Sequence, residues 1–486
     1  MGFGQYDSWH LLALFQHELL LFAGVFFLIG ALDDVLVDAV WLWLKSTGKA
    51  KIAEVDRETL RDRPLNGPVA VFVPAWQELA VIGATVSHML SVWPQRDLRI
   101  YVGCYRNDPD TIAAAMRAAS VAGRNTGHRL RIVIHDRDGP STKADCLNRL
   151  HQALRDDERR AGRLFSCVVF HDAEDMVDPA GLTLLDEAIA RDADFAQLPV
   201  EPIAQPKSRW LGSHYCEEFA EAHAKGMVVR SSLRAALPAA GVGCAISRRA
   251  LHHLSRQRLD GTPFQEDSLT EDYELGLSVA AMGGTSSFIR ARGEDGAFVA
   301  TRAYFPSTLS SVVRQKTRWV HGIALQGWDR VGWTGGLIET WMRARDRRGP
   351  LTALVLFTGY LLLVLTAVLW AASSVGLAPK LVLSPLLFWL LMANSAAFFW
   401  RAFWRVGFTA QIYGWREGLL AVARIPVTNA IAILAGRRAI AAYVGTRLGR
   451  AVEWDKTPHS LHPAMSDLGH FKRMKFKLVD TKEISA

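Results

Sequence analysis

The chain has 486 residues, of which 50% are hydrophobic, and it carries 16 tryptophans and a formal net charge of +8. This length allows more than one folding unit, and the apolar share favours a membrane part over a purely soluble protein. The basic residues gather beside apolar runs, and no zinc-finger or RNA-binding motif is present, so the composition argues against a nucleic-acid partner. The five cysteines are widely spaced without a CxxC pair, which predicts free thiols in a reducing compartment.

The first predicted element is a membrane anchor, which together with its linker occupies residues 1–63. Residues 11–29 (LLALFQHELLLFAGVFFLI) are mostly apolar and long enough to cross a hydrocarbon layer of about 30 Å. A cleavable signal peptide is the alternative, but its basic n-region is absent, which favours a retained anchor. Lys45, Lys49 and Lys51 follow the apolar run, and the positive-inside rule therefore places the next segment in the cytoplasm.

Residues 64–330 are predicted to form a cytoplasmic α/β domain. Five short apolar runs begin at Val69, Leu98, Leu130, Cys167 and Phe195, and helical stretches separate them. Continuous apolar strands that alternate with helices predict a mainly parallel sheet covered on both faces. In such sheets ligands bind beyond the carboxyl ends of the strands.

A cluster of acidic residues follows the fourth predicted strand. Asp172, Glu174, Asp175 and Asp178 lie within seven positions of one another. Carboxylates this close repel one another, so a fold keeps them together only when a cation lies among them or water solvates them. A bound divalent cation is one interpretation and a solvated acidic loop is the other, and this stretch alone does not decide between them.

Two further segments carry candidate residues on predicted helices. Thr270 can cap a helix whose first turn holds Asp272, although such a segment by itself is more often only a well-capped helix. Gln315, Arg318 and Trp319 stand at i, i+3 and i+4, so a helix places all three on one face. A guanidinium suits phosphate oxygens and an indole suits a sugar face, but a membrane-proximal helix with an interfacial tryptophan is the alternative.

Residues 331–450 are predicted to hold membrane and interface helices. Residues 351–373 form the clearest span, about 34 Å of helix, and residues 381–399 form a second span that Arg401 and Arg405 close on the cytoplasmic side. Residues 406–450 are less apolar and contain several arginines, which favours helices lying in the membrane interface, with one further span as the alternative. The polar, basic segment 451–486 is predicted to be a cytoplasmic tail.

The motifs DAED, TED and QxxRW occur in this order, after a strand that ends in PAWQE (residues 74–78) and before the membrane spans. This ordered set resembles the membrane-bound branch of the family 2 glycosyltransferases, which includes the cellulose and hyaluronan synthases. The stretches IYVGCYRNDPDT and VEWDKTPHSLHP are most similar to the phage adsorption protein B type of inner-membrane glycosyltransferase. The resemblance implies a GT-A-like nucleotide-sugar-binding domain with a mainly parallel sheet, joined to a transmembrane and interface-helix region.

The resemblance also implies roles for individual residues in binding the donor and in catalysis. Glu78 and Asp108 would lie near the nucleoside, and Lys143 would lie near the base or the diphosphate. Asp272 would be the general base that takes the proton of the acceptor hydroxyl. Arg318 would stabilise the departing diphosphate.

The metal-binding pattern of this family is D-x-D, and the matching positions here are Asp172 and Glu174. The second acid is therefore a glutamate with Asp175 beside it, which leaves open whether Glu174 or Asp175 binds the metal. Mg²⁺ or Mn²⁺ is the expected cofactor, since hard oxygen ligands beside a diphosphate suit either ion. Gln315 and Trp319 would form the floor for the acceptor sugar.

The segment WDKTPH (residues 454–459) is predicted to close over the bound nucleotide as a lid. Lys456 and Thr457 suit a phosphate, and His459 ends the segment; exclusion of water from the site would limit hydrolysis of the donor. An ordinary polar linker is the alternative.

The expected activity is inverting sugar transfer from a nucleotide-diphosphate sugar, with a UDP-sugar favoured. The expected product is an envelope or secreted polysaccharide, and its export by the same protein is an extension of this prediction. Transfer of a single sugar to a lipid carrier is the main alternative. A non-catalytic receptor or secretion scaffold is another, but the retained acids argue against it. The expected partners are the donor, a polysaccharide or lipid acceptor, membrane lipids and an outer-membrane export partner. The expected location is the bacterial inner membrane, crossed several times, with the catalytic domain in the cytoplasm.

Overall fold

The computed structural model describes residues 7–121, 127–380, 382–450 and 461–465. Its α-helices are, in chain order, α1 Ser8–Ser46, α2 Arg57–Asp62, α3 Ile82–Val92, α4 Pro109–Val121, α5 Lys143–Ala161, α6 Gly181–Ala190, α7 His214–Glu221, α8 Met227–Ser232, α9 Arg248–Gln257, α10 Glu271–Ala281, α11 Leu309–Trp319, α12 Gly327–Val331, α13 Leu337–Arg347, α14 Gly349–Ser374, α15 Pro385–Tyr413, α16 Trp415–Ala423 and α17 Ile425–Arg447. Its strands are β1 Ala53–Glu54, β2 Val69–Pro74, β3 Leu98–Tyr105, β4 Leu130–His135, β5 Cys167–Phe170, β6 Phe195–Gln197, β7 Val200–Pro202, β8 Cys244–Ser247, β9 Ser286–Phe288, β10 Ala291–Arg292 and β11 Thr301–Ala303. Two π-helical segments, Ala222–Gly226 and Val320–Gln326, join α7 to α8 and α11 to α12.

A seven-stranded sheet with the order β4-β3-β2-β5-β8-β6-β9 forms the centre of the domain. The pairs β2–β3, β3–β4, β2–β5 and β6–β9 are parallel, while β8 runs antiparallel to both of its neighbours. The prediction of a mainly parallel sheet is therefore confirmed. The first four predicted strands begin at the predicted residues, and β8 and β9 are additional strands in the sheet.

The predicted strand at Phe195 is divided into two short strands. β6 belongs to the central sheet, whereas β7 leaves it and pairs with β11 in a separate two-stranded sheet. Pro199 lies between them and has no N–H group to donate to a strand ladder, which explains the interruption.

Both faces of the sheet are buried, as expected for parallel strands. Along β2, Val69, Val71 and Val73 pack on one face, and Ala70 and Phe72 pack on the other. The carboxyl ends of β2, β3 and β5 meet at one edge, because these neighbouring strands run in the same direction. The loops that carry PAWQE and DAED therefore emerge side by side. All five cysteines are buried in this domain as free thiols, as predicted.

Four helices in the described part of the chain are long and apolar enough to cross a membrane, namely α1, α14, α15 and α17. α14 matches its predicted span closely, but α15 continues to Tyr413, well past the predicted end at residue 399. The extension is possible because α7 of the α/β domain neutralises the arginines of α15. Arg401 lies 2.7 Å from Glu221, and Arg405 lies 3.1 Å from Glu217.

The acidic residues in the second half of α1 pair with arginines and a lysine from other elements. Asp33 and Asp34 form ion pairs with Arg345 and Arg348 at the end of α13. Asp38 is buried and pairs with Lys225 of the π-helical segment after α7. These contacts explain why carboxylates interrupt an otherwise apolar helix.

The start of α17 contacts α7 of the α/β domain, and its other end contacts α12. At its start, the fully buried Arg424 lies 3.0 Å from Glu217 of α7. At its other end, Tyr443 donates a hydrogen bond of 2.9 Å to Asp329 of α12. A helix of this length extends about 34 Å, so a spanning orientation would place its two ends on opposite sides of a membrane. The interface position of this segment stays a prediction, with a further span as the alternative, since α17 is also long and apolar enough to cross a membrane.

Candidate active site

A cavity of about 150 Å³ opens at the carboxyl edge of the sheet. Most of the residues predicted for the site share its wall, and they come from five separate segments of the chain. The predicted residues on the wall are Glu78, Lys143, Asp172, Glu174, Asp175, Asp272, Gln315, Arg318 and Trp319. The fold therefore brings the DAED, TED and QxxRW motifs to a single place.

The loop after β5, residues 172–178, is here called the metal loop, and Asp175 is its structural centre. Asp175 is only 1% exposed, and its Oδ2 lies 2.9 Å from Nδ1 of His171 and accepts a 3.0 Å hydrogen bond from the Asp172 amide. Burial lowers the pKa of His171 to about 3, so its ring is neutral and donates to Asp175. Asp172 and Glu174 are half-buried on the cavity wall.

Lys143, at the start of α5, supplies a cation next to these acids. Its Nζ lies 2.5 Å from Asp172 and 3.8 Å from Glu271. Burial lowers the pKa of Lys143, but the carboxylates of Asp172, Glu271 and Asp272 outweigh burial and raise it overall. The lysine is therefore charged and offsets part of the negative charge of the cluster.

Asp272 lies in the first turn of α10, as predicted, and its backbone surroundings fix the carboxylate. Its Oδ1 accepts a 2.7 Å hydrogen bond from the Tyr273 amide. Gly241 has a φ of +78°, and a Cβ atom at this position would overlap Oδ2 of Asp272. Burial raises the pKa of Asp272, and the charge of Lys143 opposes this shift.

The predicted helix cap at Thr270 is only partly correct. Thr270 occupies the N-cap position of α10, but its side chain makes no capping hydrogen bond. Instead, the buried threonine packs against Gly322 of the π-helical segment that follows α11. The Thr270 side chain packs instead of capping because the TED motif meets the end of the QxxRW helix at this point. The contact between Thr270 and Gly322 thus joins the two motifs.

The helix α11 presents Gln315, Arg318 and Trp319 to the cavity, as the i, i+3, i+4 spacing predicts. The Trp319 ring lies 4.6 Å from Nζ of Lys316 and 6.0 Å from the ring of Tyr215. Aromatic packing on one side thus holds the indole at the cavity, where a flat apolar surface is available to a sugar.

Asp108 does not line the cavity. Its Oδ2 accepts a 2.6 Å hydrogen bond from the amide of Gln77, which has a positive φ of 53°. It also accepts from the Thr111 amide in the first turn of α4. Asp108 therefore supports the loop that carries Glu78, and a direct contact with the nucleoside stays a prediction. The predicted lid residues Lys456, Thr457 and His459 lie outside the described residues.

Several residues of the cavity wall were not among the sequence predictions. Trp76 and Tyr105 both line the cavity, and their rings lie 5.1 Å apart in an edge-on arrangement. Trp76 follows β2 and Tyr105 ends β3. Position at the carboxyl end of a predicted strand is the signal that could have identified both residues from the sequence. Glu271 also lines the cavity, and burial raises its pKa, with a further contribution from the neighbouring Asp272.

The donor set suits a hard divalent cation in combination with a diphosphate. Among the residues that the structure describes, no group of three or more His, Cys, Asp or Glu side chains forms a complete metal site. Mg²⁺ in nucleotide sites is commonly held by one or two carboxylates while phosphate oxygens and water supply the remaining ligands. Asp172 and Glu174 fit this arrangement, since both are half-buried on the cavity wall. Asp175 is also on the wall, but it is buried and its carboxylate is engaged by His171 and the Asp172 amide.

A family model described as glycosyltransferase like family 2 matches residues 66–322. The chain belongs to glycosyltransferase family 2. Bacteriophage adsorption protein B of Escherichia coli (strain K12) is 33% identical over 488 residues, which cover 95% of this chain and 64% of that relative. The same values hold for bacteriophage N4 adsorption protein B of Escherichia coli O157:H7. Both the family and the adsorption protein B resemblance predicted from the motifs are thus confirmed.

Solved structures with a similar fold include two glycosyltransferases. The mannosyltransferase PcManGT of Pyrobaculum calidifontis, in complex with GDP-Man and Mn²⁺, has a TM-score of 0.46 and 16% identity, and the match covers 85% of this chain and 98% of that one. Glucosyl-3-phosphoglycerate synthase of Mycobacterium tuberculosis, with Mn²⁺ and UDP, has a TM-score of 0.33 and 15% identity, covering 54% and 82%. The assignment to family 2 rests on the sequence matches.

Proposed function

We propose that this family 2 member is an inverting glycosyltransferase that uses a nucleotide-diphosphate sugar, with UDP-sugars as the first candidates. One observation carries the proposal: a candidate base, a pair of acids suited to a divalent cation, and a guanidinium all line the same cavity. The chain spans 64% of the curated relatives it matches, so the activity is proposed from this site and from the family.

Asp272 is the proposed general base. Its carboxylate takes the proton of the acceptor hydroxyl while the oxygen attacks the anomeric carbon of the donor sugar. The bond from that carbon to the diphosphate oxygen breaks, and its electron pair leaves with the nucleoside diphosphate. Attack from the face opposite to the leaving group inverts the configuration. The Tyr273 amide and the close approach of Gly241 keep the carboxylate oriented for this step.

The leaving diphosphate requires positive charge, and two side chains of the cavity wall provide it. Arg318 of α11 and Lys143 of α5 approach the cavity from different elements. A divalent cation held by Asp172 and Glu174 would neutralise further charge on the diphosphate. Asp175, with its carboxylate engaged by His171 and the Asp172 amide, supports the loop.

The proposed product is an envelope or secreted polysaccharide made at the bacterial inner membrane. Of the four helices in the described part of the chain that are long and apolar enough to cross a membrane, α1, α14 and α15 are the proposed spans. In this proposal α17 lies along the cytoplasmic interface and the α/β domain is cytoplasmic. Trp319 and Gln315 are placed to bind the acceptor sugar at the side of the cavity nearest α11. Export of the product, and an outer-membrane partner that receives it, extend this proposal.

Transfer of one sugar to a lipid carrier is the second candidate. The observation that favours it is the small number of proposed spans, since both ends of α17 contact the cytoplasmic side and three helices enclose little space. Mass spectrometry of the product separates the two candidates. A ladder of added sugars supports a polysaccharide synthase, and a single sugar on a lipid supports the carrier reaction.

The activity is tested with purified protein in detergent, UDP-sugars, and Mn²⁺ or Mg²⁺, by measuring release of UDP. Asp272→Asn is expected to lower the rate by about 10²–10⁴-fold, the contribution typical of a general base. Glu274→Gln is the matched control, because Glu274 lies on the same helix but pairs with Arg330 and is not on the cavity wall. Equal release by wild-type protein and Asp272→Asn would remove Asp272 from the mechanism. Absence of release with any donor would favour the scaffold alternative.

A further inference from the structure

Backbone carbonyl groups of the metal loop (residues 172–178) bind side chains of α3 and of the residue after it. Thr85 donates to the carbonyl of Ala173, and Nε2 of His88 lies 2.9 Å from the carbonyl of Val177. Nε1 of Trp93 donates a 3.0 Å hydrogen bond to the carbonyl of Asp178. Met176 of the loop also pairs with Arg302 of β11 through two backbone hydrogen bonds. The three side chains satisfy further carbonyls of the loop, so together these contacts define its path.

A further donor to the loop comes from the C-terminal region. The segment Leu461–Met465, here called the tail segment, places Nε2 of His462 3.0 Å from the carbonyl of Asp175. The amide of Ala464 donates to Nδ1 of the same ring, at 3.1 Å, so Nε2 is the nitrogen that carries the proton. The two partners are 287 positions apart in the chain.

The tail segment is packed into the domain. His462 is 0% exposed and Ala464 is 3% exposed, and the His462 ring lies 6.4 Å from the ring of His88 on α3. A buried imidazole whose two nitrogens both have partners is held in one orientation, because any other orientation would leave a polar group unpaired. The position of the tail segment against the metal loop is therefore specific.

Asp175 is consequently held at both of its polar ends. Its carboxylate accepts hydrogen bonds from His171 and the Asp172 amide, and its carbonyl accepts one from Nε2 of His462. A shift of Asp175 would move the amide of Asp172 and, with it, the two acids that face the cavity. Among the residues that the structure describes, Asp175 alone therefore connects His462 of the tail segment to the cavity wall.

We propose that His462 is a positioning residue for the metal loop, and that metal-dependent binding of the nucleotide donor requires the tail segment to be docked. This inference rests on the proposed function, since it assumes that the loop holds a metal for a nucleotide. His462 does not touch the cavity; it acts through Asp175.

The test uses the full-length protein and three variants. His462→Ala removes the donor to Asp175. His462→Gln keeps an N–H group at nearly the same reach and is the conservative replacement. His151→Ala is the matched control, since His151 is also buried, at 3% exposure, but lies on α5 away from the metal loop.

Two readouts are measured. Calorimetric titration of UDP with and without Mn²⁺ gives the affinity gained from the metal, and hydrogen exchange of a peptide covering residues 168–180 reports the stability of the loop. His462→Ala is expected to lower the Mn²⁺-dependent affinity about tenfold, the size expected when one buried hydrogen bond is lost, and to speed exchange in the loop. His462→Gln restores both, and His151→Ala changes neither.

Wild-type affinity and wild-type exchange in His462→Ala would overturn the proposal. Loss of affinity that His462→Gln does not restore, with unchanged loop exchange, would also overturn it. If wild-type protein shows no Mn²⁺-dependent UDP binding, the proposed function fails separately, and the exchange measurement still decides whether His462 positions the loop.

Discussion

Gly241 and Asp272 are in direct contact, and the contact leaves no room for a side chain at position 241. A Cβ atom there would overlap Oδ2 of the Asp272 carboxylate, and the φ of +78° is one that residues with side chains rarely adopt. The glycine therefore allows the proposed base to lie against the backbone of the neighbouring loop.

Gly241→Ala is expected to lower kcat about 100-fold, because a displacement of the order of 1 Å at a reacting group has effects of this size. The affinity for UDP should change little, since Gly241 is not among the residues proposed to bind the donor. Steady-state kinetics and calorimetry measure the two quantities. Gly283→Ala is the control: its φ is +79°, but no atom lies within 4 Å of the added Cβ. An equal loss of kcat in both variants would assign the effect to backbone strain.

The proposed site assigns the metal to Glu174 and a supporting role to Asp175. Glu174→Gln is expected to lower the affinity for Mn²⁺ in the presence of UDP at least about tenfold, with little change in the melting temperature. Asp175→Asn is expected to destabilise the fold by about 1–3 kcal/mol, because the buried carboxylate accepts from His171 and from a backbone amide. Metal titrations and thermal unfolding of both variants test this division. The reverse pattern would make Asp175 the ligand.

Burial of Asp272 predicts a pH-dependent stability. Its pKa is raised above 3.8, so the folded protein carries the cost of a buried charge at neutral pH and loses that cost when the group is protonated in both states. Metal-free Asp272→Asn should therefore melt at a higher temperature than wild-type protein at pH 7.5, and the difference should shrink as the pH approaches about 4. Asp110→Asn, at an exposed position of α4, serves as the control. A lower melting temperature for Asp272→Asn at pH 7.5 would contradict this account.

The proposed topology predicts which sites react with thiol reagents from outside the cell. A cysteine at Ser374, at the end of α14, should react with a membrane-impermeant maleimide in intact spheroplasts. A cysteine at Leu448, just after α17, should react only after permeabilisation, because both ends of α17 lie beside the cytoplasmic domain. The native cysteines are buried and give little background. Labelling of Leu448→Cys in intact spheroplasts would show that α17 crosses the membrane.

The elements that the sequence predicts well are those set by local pattern. The strand at Val69 begins and ends at the predicted residues because every residue in it is apolar or proline and both of its faces are buried. The helical spacing of Gln315, Arg318 and Trp319 likewise fixes a shared face, and the structure places all three on the cavity. Motif order was enough to find residues from five segments of the cavity wall.

The features that were missed depend on contacts between distant parts of the chain. α15 continues past residue 399 because Glu217 and Glu221 neutralise its arginines, and no local signal shows this. Gly241 and His462 are unremarkable in the sequence, since their importance comes only from the residues that the fold places beside them. The supporting role of Asp108 was hidden for the same reason.

The ion pair between Arg424 and Glu217 has a consequence for where the product emerges. Both side chains are 0% exposed, and a buried charge whose partner is taken away is costly, so the α/β domain resists tilting against α17. In the proposed topology, with α17 in the membrane interface, this ion pair would keep the proposed active site at a constant height above the lipid headgroups. Each new sugar would then be added at one fixed depth, and the growing end would always meet the bilayer at the same angle.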